Sequence, residues 1–388
     1  FPAMLVGKIT GKKVIMRIPG DYAWEMGMQC SRAKTEASLD RFLGKSHGGI
    51  IGIYEKVERW TARQAWSLIV PSQYLRSVAE RWGVPKERIT VIKNAVQPLP
   101  TTVGRTVLRK RLKMNDQIVC LTAVRAVPWK GVEDLIRWWH RLPADYLLVV
   151  AGDGPELENW KRVAKEEGMK ERIRFLGKVS REVLTEWYDV ADVFLLHTGY
   201  EGYPHTVPEA VSRGLPCIIS DQGGNPETKE EYGENITILP YQDRDAWVNN
   251  LLQLKRGQRK NGIKDLGSHY QMMTMVEERL KAAVGGAQGH ARTVMVSYER
   301  GLIKTESEAF ARITSLTDSS LSISALVIAR FPEDIVIERD GVYAQAFSGS
   351  SFRRVWHAII AGIKEAKRLP GRTVISGQDP FAAGIVAY

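Results

Sequence analysis

Two glutamates and the loop between them have the clearest chemical content in this sequence. Glu201 and Glu209 are separated by seven residues, and the segment between them contains Gly202 and leads into a predicted helix. A helix N-terminus offers free N–H groups to a phosphate, and a carboxylate one turn in can accept two hydrogen bonds from a ribose diol. His205 and Thr206 lie in the same loop, and we expect them to contact phosphate or sugar. The alternative is that both glutamates only cap a helix.

Two basic residues in an upstream loop suit the same ligand. Arg125 and Lys130 follow the predicted strand Ile118–Val124 and precede a predicted helix. They should therefore lie at the carboxyl edge of a parallel sheet, where open α/β folds bind ligands. A guanidinium together with an ammonium suits a diphosphate. The alternative is that both side chains belong to a solvated face.

Other predicted strands also end in loops that suit ligand binding. Gly152-Asp153-Gly154-Pro155 is a tight turn after a strand, and Lys178 and Val179 lie in a loop whose backbone could read a base. Gly223 and Gly224 would let the backbone approach a ligand closely. Each signal is weak alone, and a ligand site requires all of these loops to meet at one edge of a sheet.

Residues 106–255 contain the alternation that would position these loops. The predicted strands are Ile118–Val124, Tyr146–Ala151, Ile173–Leu176, Val193–His197 and Cys217–Ser220. The predicted helices between them are Gly131–Leu142, Glu156–Gly168, Arg181–Val190 and Val207–Arg213. Short apolar strands that alternate with helices of about ten residues indicate βαβ units and a parallel, Rossmann-like sheet.

The two ends of the chain fit each other as parts of one further α/β domain. Thr293–Val296 resembles the first strand of a Rossmann domain, and Asp379-Pro380 begins a predicted helix. Counted across the join, one helical stripe contains Phe381, Ile385, Tyr388, Phe1, Met4 and Leu5. This pattern predicts a circularly permuted order, in which residues 292–388 followed by 1–96 form one domain. The alternative is a coincidence between an amphipathic end and an apolar start.

The predicted domain boundaries follow from this order. Residues 292–388 and 1–96 are the first and second parts of one Rossmann-like domain. Residues 97–284 form the other domain, with 267–284 as its closing helix, and residues 285–291 link the original termini.

The charge of the chain is unevenly divided between these domains. The chain has 388 residues, with 55 Lys and Arg against 44 Asp and Glu, a net charge of +11. Residues 97–291 hold 27 basic and 26 acidic side chains, so nearly all of the excess belongs to the two ends.

Apolar residues make up 44% of the chain, which excludes a disordered protein. The lack of an eighteen-residue apolar window predicts no transmembrane helix.

Taken together, the loops resemble the signature of glycosyltransferase family 4, which has the GT-B fold and a retaining mechanism. The matching motifs, in chain order, are R-x4-K-G from Arg125, AGDGP from Ala151, FLG from Phe175, E-G-Y-P-x4-E from Glu201 and D-x-G-G-x-P-E from Asp221. The resemblance implies an α/β protein with two Rossmann-like, doubly wound domains facing a cleft. It covers the whole chain once the permuted order is restored.

The same resemblance implies transfer of a hexose from a nucleoside diphosphate sugar, linked to UDP or GDP, to an acceptor hydroxyl. It implies no metal and no cofactor besides the donor. Arg125 and Lys130 would hold the diphosphate, Glu201 would contact the donor sugar and Glu209 the ribose. The base would lie beside Lys178 and Val179.

The acceptor domain offers two weaker candidates. Asp21 follows a predicted strand at the place where the family often has a His or Asp, so it is the candidate to orient the acceptor hydroxyl. A Gly-Asp turn with structural aromatic residues is an equally good interpretation. The family has a Gly pair in its first loop, and here only Gly301 matches it.

A basic amphipathic segment at Phe352–Lys364 provides evidence about the binding partner of the chain. Such a helix can lie on an anionic membrane, although a sheet-covering helix with a solvated face is the commoner structure. Because many members of the family act on lipid-linked or anionic acceptors, we expect a cytoplasmic protein that associates peripherally with the inner face of the membrane. A nucleic-acid partner is not expected, since the basic residues are not interleaved with aromatic residues.

The three cysteines are expected to be reduced, buried thiols in a reducing compartment. Cys30, Cys120 and Cys217 are far apart, lie in or near apolar sequence, and have no metal-ligand spacing. Two functional alternatives stay open: a nucleotide-sugar epimerase on the same fold, and an engineered permuted scaffold that binds nucleotide without turnover.

Overall fold

The computed structural model describes residues 2–30, 38–94, 99–114, 116–257, 259, 262, 275, 278, 282, 291–297, 314, 321–331, 333–339, 342–348, 350–368 and 373–377. The chain divides into two compact units. Unit 1 comprises Phe1–Met26, Leu43–Lys93 and Tyr270–Tyr388, and unit 2 comprises Gly27–Phe42 and Asn94–His269. This division differs from the predicted boundaries at residues 27–42, 94–96 and 270–284. The predicted closing helix 267–284 lies outside the described residues except for residues 275, 278 and 282. The predicted linker 285–291 lies outside the described residues except for Ala291.

Helices and strands alternate along most of the described chain. The helices are α1 Pro2–Thr10, α2 Tyr22–Cys30, α3 Leu39–Leu43, α4 Gly49–Gln64, α5 Gln73–Arg81, α6 Arg105–Arg111, α7 Val132–Trp138, α8 Leu157–Glu166, α9 Arg181–Val190, α10 Thr206–Ser212, α11 Asn225–Tyr232, α12 Arg244–Leu252 and α13 Ser351–Arg368. The strands are β1 Val14–Arg17, β2 Ser67–Val70, β3 Ile89–Val91, β4 Ile118–Ala123, β5 Tyr146–Ala151, β6 Ile173–Gly177, β7 Val193–Leu196, β8 Cys217–Ser220, β9 Ile236–Leu239, β10 Ala291–Ser297, β11 Leu321–Phe331, β12 Ile335–Arg339, β13 Val342–Ser348 and β14 Thr373–Gly377.

Unit 2 contains a six-stranded parallel sheet in the order β6-β5-β4-β7-β8-β9. Counted from β4, this is the Rossmann order 3-2-1-4-5-6. The strands are continuous apolar runs because helices cover both faces of the sheet. Leu147 and Val149 accordingly belong to one buried cluster, and Leu148 and Val150 belong to the cluster on the other face.

Unit 1 contains an eight-stranded sheet in the order β12-β13-β11-β10-β14-β1-β2-β3. Counted from β10, six of its parallel strands repeat the Rossmann order. β3 adds a seventh parallel strand at one edge, and β12 adds an antiparallel strand at the other. β14 pairs in parallel with both β10 and β1, with Ile375 opposite Val14 in the β1 ladder. Segments from both ends of the chain therefore contribute strands to one sheet. The predicted helix from Asp379 lies outside the described residues, whereas its predicted continuation is part of α1.

Two features of unit 1 and its borders depart from the sequence-based expectations. The apolar spacing of Val57–Ala65 predicts a helix over those residues, but α4 begins at Gly49. Its first turns expose Ile50 and Ile53 and so lack a clear amphipathic pattern. Cys120 and Cys217 are buried as expected, but Cys30 is exposed at the end of α2. Among the described residues, no helix is both long and apolar enough to cross a membrane.

Candidate functional site

An ion pair joins two of the residues that the sequence analysis selects in unit 2. The Lys130 ammonium contacts the Glu201 carboxylate Oε2, and both side chains are largely buried. Lys130 follows β4 and Glu201 follows β7, and these strands are neighbours in the sheet. The fold thus places a cation and a carboxylate together at the carboxyl edge.

The turn that presents Lys130 requires a glycine. Gly131 follows the 3-10 turn Pro128–Lys130 and has a φ of +56°, in the left-handed region that glycine tolerates best. A Cβ at this position would lie 2.3 Å from the Nδ1 atom of His197. The Lys-Gly pair in the motif therefore reflects the packing of this loop against β7.

His197, which directly follows β7, is a buried packing residue. Its ring lies against Trp138, Tyr241 and Trp247, and 1% of the residue is exposed. Nδ1 lies 3.0 Å from the Gly131 carbonyl oxygen, and Nε2 lies 2.5 Å from that of Tyr241. Burial lowers the pKa of His197 to about 4, although both carbonyl contacts oppose the shift. The ring is therefore neutral near pH 7.

The backbone of the Glu201 loop is held by the Gly-Gly loop after β8. Gly224 N–H donates to the Glu201 carbonyl oxygen at 2.8 Å. A Cβ on Gly223, which has a φ of +63°, would lie 2.1 Å from the same oxygen. A second hydrogen bond runs from Ser220 Oγ, at the end of β8, to the Thr198 carbonyl oxygen at 2.6 Å. Gly223 and Gly224 thus allow the backbone of their own loop to lie close to the backbone of the Glu201 loop.

Glu209 lies in the first turn of α10 and has two partners that the sequence analysis does not identify. The hydroxyl of Tyr188 donates to Glu209 Oε2 at 2.9 Å, and Arg181 Nη2 lies 3.8 Å from Oε1. Tyr188 is fully buried in α9, and burial followed by the Glu209 charge raises the pKa of its phenol. The carboxylate is therefore held in one orientation. The spacing along α9 gives no signal of these contacts.

The loop that carries Arg125 packs on the turn after β5. Gly152 and Gly154 have positive φ, and a Cβ on Gly152 would lie 1.8 Å from the Val124 carbonyl oxygen. Ala126 N–H donates to the Asp153 carbonyl at 2.9 Å. Arg125 itself is exposed at the carboxyl edge of the sheet. Its predicted contact with a diphosphate stays a prediction.

The remaining donor-site candidates lie on loops of the same unit. Lys178 is exposed and Val179 is half-buried, directly after β6. His205 is exposed before α10, and its Nε2 lies 3.0 Å from Asn94 Nδ2. Thr206 is half-buried and begins the helix. Their roles toward base, phosphate or sugar stay predictions.

Asp21, in unit 1, is a buried helix cap. Its Oδ1 accepts a hydrogen bond from the Trp24 N–H at 2.8 Å, and 1% of the residue is exposed. Burial, opposed by the hydrogen bond from the Trp24 N–H and reinforced by the Glu55 charge, raises the pKa of Asp21 to about 6. These contacts are those of the Gly-Asp turn interpretation, and a role in orienting the acceptor stays a prediction. Gly301 lies outside the described residues.

Within the part of the chain that the structure describes, no group of three or more His, Cys, Asp or Glu side chains is arranged to hold a metal ion. Transfer without a metal stays a prediction.

Two family models match the chain. Residues 105–265 match the model described as "Glycosyl transferases group 1", and residues 35–98 match "Glycosyltransferase Family 4". The matches support a glycosyltransferase of the family-4 type, in agreement with the motifs.

Curated relatives carry names of the same class. A GDP-mannose-dependent alpha-(1-6)-phosphatidylinositol monomannoside mannosyltransferase from Mycolicibacterium smegmatis is 30% identical over 201 residues, which is 49% of each chain. An alpha-galactosylglucosyldiacylglycerol synthase from Streptococcus pneumoniae is 31% identical over 191 residues, 44% of this chain and 50% of the other. The chain spans about half the length of the curated relatives that it matches.

Solved structures share the fold. Anabaena HepE in complex with UDP and glucose matches with a TM-score of 0.59 at 17% identity, covering 72% of this chain and 74% of its own. Sucrose-phosphate synthase from Thermosynechococcus elongatus matches with a TM-score of 0.56 at 20% identity, covering 69% and 68%. With the two Rossmann-like sheets, this likeness identifies the GT-B fold.

Proposed function

We propose that this chain transfers a hexose from a nucleoside diphosphate sugar to an acceptor hydroxyl, with retention of anomeric configuration and without a metal or other cofactor. The observation that carries the proposal is the Lys130–Glu201 ion pair at the carboxyl edge of the unit 2 sheet. The names of the relatives, which include GDP-mannose-dependent transfer, support a UDP- or GDP-linked donor.

Each side chain has a distinct task in this proposal. The Lys130 ammonium and the Arg125 guanidinium bind the diphosphate and stabilise the charge that develops as it leaves. Glu209, oriented by Tyr188, accepts hydrogen bonds from the ribose hydroxyls. Glu201 contacts the sugar, and its pairing with Lys130 holds both groups in place before the donor binds.

The chemical step exchanges one bond at the anomeric carbon for another. The bond from C1 to the diphosphate oxygen breaks, and the acceptor oxygen bonds to C1 on the same face. The acceptor's proton passes to the leaving phosphate oxygen, so that no protein base is consumed. Lys130 and Arg125 stabilise the diphosphate before that proton arrives.

A donor panel tests the activity. Nucleotide release from UDP-, GDP- and ADP-sugars is measured with and without a glycoside or glycolipid acceptor, and the anomeric coupling constant of the product is read by proton NMR. We expect acceptor-dependent release from a UDP- or GDP-sugar and a product with the donor's configuration. Tight nucleotide binding without release from any donor would instead favour a binding scaffold, and an inverted product would contradict retention.

The acceptor is proposed to be lipid-linked or anionic. Relatives are named for transfer to a phosphatidylinositol mannoside and for synthesis of a glycosyldiacylglycerol. Unit 1, to which the basic chain ends belong, is the proposed acceptor domain, and it would act beside the inner face of a membrane.

We also infer that the elements of unit 1 are circularly permuted relative to a Rossmann domain. The inference is supported by the parallel pairing of β14 with β1 and by the strand order counted from β10. A chain in the restored order, residues 292–388 followed by 1–291, should fold and bind nucleotide like the parent. If the restored chain is unfolded while the parent is folded, the inference is wrong.

A further inference from the structure

Three helices of unit 1 form one outer layer. α1 packs against α13, and Lys8 of α1 places its Nζ 4.6 Å from the ring centre of Trp60 in α4. α4 is therefore also a neighbour of α1. We call the solvent side of α1, α4 and α13 the three-helix face.

The acidic side chains of these helices all point inward. Glu55, Glu58 and Glu365 are the glutamates of the three helices, and each is buried. Their oxygens are used inside the unit: Glu58 accepts the Tyr22 N–H at 3.0 Å, and Glu365 accepts from the hydroxyl of Ser324 at 3.2 Å. The carboxylates thus contribute little negative charge to the solvent side.

Most basic side chains of the same helices are exposed, although Arg354 is buried and Arg59 is half-buried beside Glu55. Those that are exposed are Lys8, Lys56, Arg63, Arg353, Lys364, Lys367 and Arg368. Arg368 pairs with Glu365, but no carboxylate that the structure describes on these three helices is exposed to balance the other cations. An ordinary solvated helix of unit 2 has exposed carboxylates as well. On α8, exposed Lys161 pairs with Glu158, and Arg162 pairs with Glu166. The three-helix face therefore carries an excess of positive charge, which is not needed merely to keep a helix solvated.

Large apolar side chains stand among these cations. Ile9, Ile50, Ile53, Trp356 and Ile360 are each more than half exposed. On α13, Arg353, Trp356, Ile360 and Lys364 follow one another at helical spacing, so the apolar pair lies between two cations on one stripe. Single exposed apolar residues are common, but five on adjacent helices indicate an interaction surface.

We propose that the three-helix face binds the surface of an anionic lipid bilayer. Trp356 and the isoleucines would lie at the level of the headgroups, and the cations would contact lipid phosphates. Lysine and arginine stems can cover apolar surface while their charges stay in water, which suits this mixture. The inference rests on the proposed function for its membrane-linked acceptor, and it specifies the face that would dock.

A matched pair of charge-reversal variants tests the assignment. K364E/K367E alters the three-helix face, and K165E/K170E makes the same change in charge on exposed lysines of unit 2. Binding to phosphatidylcholine vesicles with and without 30% phosphatidylglycerol is measured by flotation at low and high salt. We expect K364E/K367E to weaken binding to the anionic vesicles by about thirtyfold or more, since each basic residue near such a surface contributes about 1 kcal/mol. K165E/K170E should bind as the parent does.

A second variant tests the apolar part of the face. W356A/I360A should lower binding to the anionic vesicles even at high salt, where charge is screened. All variants should keep the parent's thermal unfolding midpoint and its transfer to a water-soluble acceptor. Equal loss in K165E/K170E, or self-association of the parent in place of vesicle binding, would overturn the assignment. Transfer without any vesicle binding would overturn this inference alone, whereas vesicle binding without transfer from any donor would contradict the proposed function alone.

Discussion

Units 1 and 2 share a strand order but use their charged groups in opposite ways. In unit 2, Lys130 and Glu201 meet at the carboxyl edge of the sheet. In unit 1, the carboxylates of Asp21, Glu55 and Glu58 are buried, while the lysines of the helices face outward. The Rossmann order therefore determines where loops and helices lie, and the residues on them determine what each unit can do.

The two units also differ in how protons should affect them. His197 in unit 2 has a lowered pKa, and Asp21 in unit 1 has a raised one. Burial is the main cause of both shifts, because it disfavours the charged form of either group. Between about pH 4 and 6 the two groups should change the free energy of unfolding in opposite directions.

The largest effect is expected at Lys130. Lys130→Ala should lower kcat by about 10²-fold or more, since it removes the cation that, in the proposed mechanism, stabilises the leaving diphosphate. Steady-state kinetics with the preferred donor measures the change. Lys165→Ala, an exposed lysine of the same unit, is the control and should be unaffected. An unchanged kcat in Lys130→Ala would remove this residue from the mechanism.

His197 should stay neutral well below the usual pH of histidine titration. Its pKa of about 4, against 6.5 for a free side chain, makes the folded state bind fewer protons than the unfolded state. The resulting contribution to the free energy of unfolding is complete above pH 6.5 and is lost as the pH falls to about 4, by roughly 3 kcal/mol in total. Ring nitrogen chemical shifts recorded by NMR through a pH titration measure this pKa. A midpoint near 6.5 would contradict the buried, neutral ring.

Asp21 should give the opposite slope. Its pKa is raised to about 6, so the folded state binds more protons than the unfolded state between pH 4 and 6. Stability from this group is present below pH 4 and is lost as the pH rises through 6, by about 3 kcal/mol in total. In urea unfolding at pH 4.5, 5.5 and 7, the free energy of unfolding of the parent should fall relative to that of Asp21→Asn as the pH rises. A constant difference would mean that Asp21 titrates normally.

Two glycines with similar backbone angles separate strain from crowding. Gly131 has a φ of +56° and His197 beside it, whereas Gly168 has a φ of +70° and open space around the Cβ position. Gly168→Ala should lower the free energy of unfolding by about 1 kcal/mol from strain alone. Gly131→Ala should cost about 2 kcal/mol more, because it also overpacks the loop. Chemical denaturation measures both, and equal costs would mean that the loop yields easily.

The smallest effect is expected at Tyr188. Tyr188→Phe removes the hydroxyl that orients Glu209 and should weaken nucleoside diphosphate binding by about fivefold, as expected for one hydrogen bond. Titration calorimetry with a ribonucleotide and its 2′,3′-dideoxy analogue locates the effect. The loss should appear with the ribonucleotide and not with the analogue. Equal losses with both would indicate a general structural effect.

Much of unit 2 could be predicted because glycines and prolines delimit its elements. The predicted bounds Tyr146–Ala151, Arg181–Val190 and Cys217–Ser220 are those observed. The antiparallel strand β12 and the early start of α4 could not be predicted in the same way. Ile50, Ile53 and Val336 place apolar side chains on the solvent side, where the usual pattern has polar ones.

The candidate site could be predicted as a set of residues but not as a set of contacts. The motifs select Lys130, Glu201 and Glu209, yet the pairing of the first two joins loops that are 71 residues apart. The orientation of Glu209 depends on Tyr188, which a sequence pattern presents only as a core aromatic residue. Such contacts arise from strand order, and no local spacing indicates them.

Hydrogen exchange with and without a nucleoside diphosphate tests most directly whether the strand-end loops of unit 2 hold the donor. UDP and GDP are each added to the full chain, and protection is mapped by mass spectrometry. We predict slower exchange in residues 124–131, 177–180, 199–209 and 221–225, with loss of that protection in Glu209→Gln. Protection confined to unit 1, or none with either nucleotide at saturating concentration, would contradict the account.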